Sequence, residues 1–181
     1  AGSPDLGYHY PALDYALSGV TVDNVALTLT NGVAVAVYGA SGLTLANGAQ
    51  LLNEGTPNLL NRLVRHSAVQ EQTLAGWAGG SSGVMLRDST STLATSRARL
   101  RFTELVVPAG CGQHFSGGAK LGRLALTDCE VTGGYVSVNQ AGDYARTVGL
   151  TNNVFNRVSF SLGNGSDTTL TTHARNNLFR G

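Results

Sequence analysis

Leu126-Thr127-Asp128-Cys129-Glu130-Val131 is followed by Leu150-Thr151-Asn152-Asn153-Val154-Phe155 and then by Ala174-Arg175-Asn176-Asn177-Leu178-Phe179, each 24 residues after the last. One such step back, Phe102-Thr103-Glu104-Leu105-Val106-Val107 keeps the order of apolar, polar, polar and a final apolar residue. The columns run on outside the motif: at the same interval Arg99 falls over Arg123, Leu100 over Leu124 and Val148, Val136 over Phe160, and Ser137 over Ser161. A fixed period of this length is the mark of a solenoid. Three short strands and their turns use up about that many residues, so one period is one turn of a β-coil. Each coil rises by one strand spacing, about 4.8 Å, and like residues stack on like.

Side chains alternate along a strand, which assigns the faces. Leu124, Leu126 and Val131 point inward, with Val148, Leu150 and Phe155 stacked on them, while Thr127 and Thr151 point out. The pairs Asn152-Asn153 and Asn176-Asn177 resemble the turn of right-handed parallel β-helices, in which one residue takes the left-handed conformation that Asn tolerates and the next points in. A stacked inward Asn passes hydrogen bonds from coil to coil and satisfies amides that would otherwise be buried unpaired. Cys129 holds that inward place one coil earlier, as a small buried side chain. Its column differs from that of Cys111, which argues against a disulfide between them.

The N-terminal half is less regular. Val20 and Val22, Leu27 and Leu29, Val33 to Val37, and Leu43 and Leu45 have strand period, broken by Asn31-Gly32 and Asn47-Gly48. Such turns also suit the hairpins of a sandwich. The coil is expected to continue here, with Leu27–Asn31 and Leu43–Asn47 read as successive strands of one kind. Gly- and Ser-rich residues at about 74–96 are expected to leave the coil as one extruded loop, with a short strand at Val84-Met85-Leu86 between its halves. Residues 1–16 read as a linker and 17–181 as the domain.

Composition narrows the function. Twelve basic residues against eleven acidic ones leave a net charge of +1, which provides no global field toward nucleic acid or an acidic membrane. No run approaches the length of a membrane helix, and the first residues lack the charged and apolar regions of an export signal. A start without methionine and a finish inside an apparent strand read as a processed product or a fragment.

The stacked x-N-N-x-F coils resemble the pectate-lyase-like superfamily of right-handed parallel β-helices. Asp5-Leu6-Gly7-Tyr8-His9-Tyr10-Pro11 resembles the segment joining β-helix modules in very large secreted bacterial surface proteins. These resemblances imply an all-β, right-handed parallel β-helix and a secreted, cell-surface location. They carry no activity, since one fold serves lyases, hydrolases, adhesins and passive stalks.

A lyase of this kind needs acidic residues converging on calcium beside an arginine base, and a hydrolase needs a neighbouring Asp pair. Neither motif occurs. The nearest acid constellation is Glu104 beside Asp128 at the 24-residue step, with Glu130 close by, and it reads more readily as a turn paired with arginine. His9, His66, His114 and His173 have no metal-ligand spacing, so neither metal nor cofactor is expected. Arg97, Arg99 and Arg101 alternate on one strand, with Arg123 on the next coil and Trp77 in the loop before them. Together they could hold an acidic glycan; alternatively Glu104, Asp128 and Asp88 neutralise the arginines and Trp77 packs under its own loop. The function expected is a non-catalytic structural or adhesive segment of an extracellular protein, joined end to end with itself or adjacent modules. A carbohydrate-binding or polysaccharide-degrading β-helix is the alternative.

Overall fold

The computed structural model describes residues 12–69, 83–88, 95–108, 112–117, 121–139, 146–163 and 170–181. Among the described residues nineteen strands, numbered along the chain, fall into three parallel sheets. The first sheet is β1 (Tyr15–Leu17), β4 (Ala34–Val37), β7 (Asn61–Arg65), β10 (Thr103–Val106), β13 (Glu130–Thr132), β16 (Val154–Asn156) and β19 (Leu178–Arg180). The second is β2 (Val20–Asp23), β5 (Ser41–Ala46), β8 (Val84–Asp88), β11 (Gln113–Gly117), β14 (Tyr135–Asn139) and β17 (Ser159–Gly163). The third is β3 (Ala26–Thr30), β6 (Gln50–Glu54), β9 (Ser96–Arg101), β12 (Leu121–Thr127), β15 (Arg146–Thr151) and β18 (Leu170–Arg175). Because the chain visits the three sheets in strict rotation, the molecule is a parallel β-helix. Among the described residues the one helical element is a 3₁₀ turn at His66–Val69.

The interior is a bundle of apolar columns. Val35, Leu63, Leu105, Val131 and Phe155 stack through the first sheet, and Leu43, Leu86, Phe115 and Val136 through the second. Leu51, Ala98, Leu124 and Val148 do so through the third, and all of these side chains are buried. Burial of an apolar side chain contributes about 1.5–3 kcal/mol, so the columns supply the main driving force. Phe155 lies stacked on Phe179 at 5.0 Å and edge-on to Phe160 at 4.9 Å between ring centroids.

At the corner between the third and first sheets the expected turn is present. Asp128, Asn152 and Asn176 have positive φ, and Cys129 and Asn153 behind them are buried. The Asn153 Oδ1 accepts from the Cys129 amide at 2.9 Å, and its Nδ2 donates to the Leu126 carbonyl at 3.0 Å. Asn177 repeats this one coil on, accepting from the Asn153 amide at 3.0 Å and donating to the Leu150 carbonyl at 2.8 Å. An outer ladder runs beside it, Asn176 donating to Asn152 and Asn152 to Asp128. Asn61 does the same work far upstream, where it accepts from the Gly32 amide and donates to the Leu29 carbonyl. No 24-residue search finds Asn61, because its coil-to-coil partner is Thr103, 42 residues away.

Three register expectations are corrected. Arg123 pairs with Arg97, not Arg99, Leu126 rather than Leu124 lies over Leu100, and Glu104 pairs with Glu130 rather than lying beside Asp128. The step between these coils is 26 residues, and the 24-residue step holds from β12 onward and between β3 and β6. An even slip leaves every side chain on its face and changes only its neighbour, so the alternation gave no warning. Leu27–Leu29 and Leu43–Leu45 are not strands of one kind either: the first belongs to the third sheet and the second to the second sheet. Their shared Asn-Gly punctuation marks a corner and does not say which one.

The strand expected at Val84-Met85-Leu86 is there, as a full rung of the second sheet between β5 and β11. Gly83 leads into it, and the terminal guanidinium nitrogen of buried Arg65 would lie 2.3 Å from any Cβ placed there. The rest of the expected loop lies largely outside the described residues. The first strand, Tyr15–Leu17, starts within the stretch read as a linker.

Candidate functional site

Strand β9 turns Ser96, Ala98 and Leu100 into the core and Arg97, Arg99 and Arg101 out to solvent, as the alternation dictates. The neighbouring strands fix what each guanidinium meets. Arg99 forms a 2.6 Å ion pair with Glu54 of β6, and Arg101 reaches Asp128 at 3.4 Å while lying over the Phe102 ring. Arg97 is the direct strand partner of Arg123, and both are exposed. Among the described residues neither side chain makes an ion pair or hydrogen bond. The four arginines therefore share one face, two neutralised and two not. Trp77, expected beside them, lies outside the described residues.

The acidic alternative fares differently. Glu104 sits next to Glu130 in the first sheet, but Arg62 holds its carboxylate in an ion pair. Asp128 is committed to Arg101 and to the outer Asn ladder. These contacts account for the acids as partners of arginine.

Inside the coil, the Cys129 thiol is pushed up to about 11, chiefly by burial. Its sulfur lies within hydrogen-bond distance of the Leu100 and Thr127 carbonyls, so it behaves as a core side chain. Cys111 lies outside the described residues. An apolar cavity of about 20 Å³, lined by Leu27, Val37, Leu51, Met85, His114 and Phe115 among others, has room for about one water. The interior is filled by side chains, which leaves the outer faces and the coil ends as the surfaces able to meet a partner. No group of three or more His, Cys, Asp and Glu among the described residues is arranged to hold a metal. No helix among them is long and apolar enough to cross a membrane.

The fold and this face define a parallel β-solenoid bearing a row of guanidinium groups on one side. No family model, curated protein or solved structure matches the chain.

Proposed function

We propose that the chain is a non-catalytic structural or adhesive segment of a secreted bacterial cell-surface protein, joined end to end with itself or with adjacent β-helix modules. The observation that carries this reading is the last coil. Phe179 belongs to the inward column of the first sheet, below Val131 and Phe155, yet it is 57% exposed. Leu162 and Leu178 are exposed beside it, and strands β17, β18 and β19 each have one unpaired edge. An apolar column open to water beside a free strand edge is a template for another strand. The resemblance of Asp5–Pro11 to the segment joining β-helix modules in secreted bacterial surface proteins supports the location.

Sedimentation velocity over a range of concentrations tests the open end. The sedimentation coefficient is expected to rise with concentration, and Phe179→Glu together with Leu162→Glu is expected to return the monomer. A monodisperse monomer at every concentration contradicts the reading.

A second reading, a carbohydrate-binding β-helix, is favoured by one observation: the unneutralised pair Arg97 and Arg123 on the outer face.

A further inference from the structure

We infer that the third sheet binds a linear acidic polysaccharide, its anionic group held between Arg97 and Arg123 and its chain laid along the coil axis. This rests on the second reading and is independent of the first. Directly opposed guanidinium groups on parallel strands, with about 4.8 Å between the strands, repel each other. The other two arginines of β9 each have a carboxylate, whereas the opposed pair has none among the described residues. A sulfate or carboxylate seated between the two would accept from both forks at once, the geometry for which guanidinium is suited.

The surroundings extend the site in one direction. The column containing the pair starts at Ala26 and then reads Gln50, Arg97, Arg123, Thr147 and Thr171, one hydrogen-bonding side chain on each coil from Gln50 onward. In the adjoining outward column, Ala125 and Gly149 lie between Arg99 and His173. These two small residues leave the surface low beside Arg123 and Thr147, with room there for a sugar ring. The row runs across the strands, which sets the direction of the bound chain. Among the described residues, the outward positions of the third sheet carry no Phe, Tyr or Trp on which bases could stack, which favours a polysaccharide over a single-stranded nucleic acid.

Retention of the full chain on immobilised dextran sulfate and polygalacturonate tests the assignment. The variant Arg97→Gln/Arg123→Gln is expected to lose affinity by about tenfold or more, and Arg99→Gln by less than about threefold. These side chains are exposed, so each variant should keep the wild-type melting temperature without ligand. Dextran sulfate should raise that temperature for the wild type and not for the double variant. Equal losses in the Arg99 variant and the double variant would overturn the site while leaving carbohydrate binding intact. No retention of the wild type on either resin would overturn both. Binding to single-stranded DNA as tight as to the polysaccharides would overturn the ligand class.

Discussion

Asp88→Ala is expected to destabilise the folded chain by about 1–3 kcal/mol, the range for deleting one partner of a buried polar interaction. Asp88 ends strand β8 in the column of Leu45, and Arg146 opens strand β15 on the face that continues into Val148 and Leu150. Both side chains are turned into the coil, at 4% and 2% exposure. Burial lowers the pKa of the Arg146 guanidinium, and the charge of Asp88 opposes that shift. Without the carboxylate the buried Arg146 guanidinium loses a charge that favours its ionised form. The double variant Asp88→Leu/Arg146→Leu should recover most of the loss, because apolar side chains of similar size replace a buried pair at little cost. Urea unfolding of Asp88→Leu, Arg146→Leu and the double variant, beside Asp88→Ala, measures this. Losses that simply add would mean that the two groups do not act on each other.

Acidification supplies the second large effect. His114 is fully buried at an irregularity in the pairing of β11, and its Nε2 lies 2.8 Å from the Gly133 carbonyl. A carbonyl only accepts, so Nε2 carries the hydrogen of the neutral ring and Nδ1 would take the next proton. Nδ1 has no hydrogen-bond partner, so that proton would sit on a buried atom with nothing to receive it. Burial accordingly lowers the pKa from 6.5 to about 4, against the opposing pull of the Gly133 and Thr132 carbonyls. Between those two values the unfolded chain binds the proton and the folded chain does not, so stability rises with pH through this window. Falling from pH 7 to pH 4 should remove about 3 kcal/mol through this residue. The variant His114→Gln keeps a donor toward Gly133 and does not titrate, so its stability should be flatter between pH 6.5 and 4 than that of the wild type. Parallel pH profiles for the two proteins would contradict the assignment.

How much of this the sequence announces depends on the regularity of the coils. From Leu121 onward each coil repeats after 24 residues, so Leu126 over Leu150 over Ala174 can be read directly and is what the fold contains. Upstream, Gln50 and Arg97 are strand partners 47 residues apart, and no periodic search connects them. Faces survive such irregularity because side-chain direction depends only on parity along a strand. Neighbours do not, which is why the arginine face was evident while Arg123 was matched to Arg99 in place of Arg97. The ladder at Asn152-Asn153 and Asn176-Asn177 announced itself as a repeated pair; Asn61 lacks the second Asn and the period, although Asn61-Arg62-Leu63 has the polar-to-apolar spacing of Asn153-Val154-Phe155. Asp88 is expected from the sequence to neutralise the arginine face and instead lies inside the coil, and Arg146 gives no signal, since a charge at the end of a strand normally faces water.

The claim beneath the whole account is that Arg97 and Arg123 face each other on adjacent coils of one parallel stack. Disulfide trapping measures it, in a chain whose Cys111 and Cys129 are replaced by serine. Under mild oxidation Arg97→Cys/Arg123→Cys should close readily, because directly opposed residues on adjacent strands lie within disulfide reach. Arg99→Cys/Arg123→Cys is offset by two residues, about 7–8 Å away on the diagonal, and should stay reduced. Closure of the second pair as fast as the first, or of neither, would contradict the stack and the binding face drawn on it.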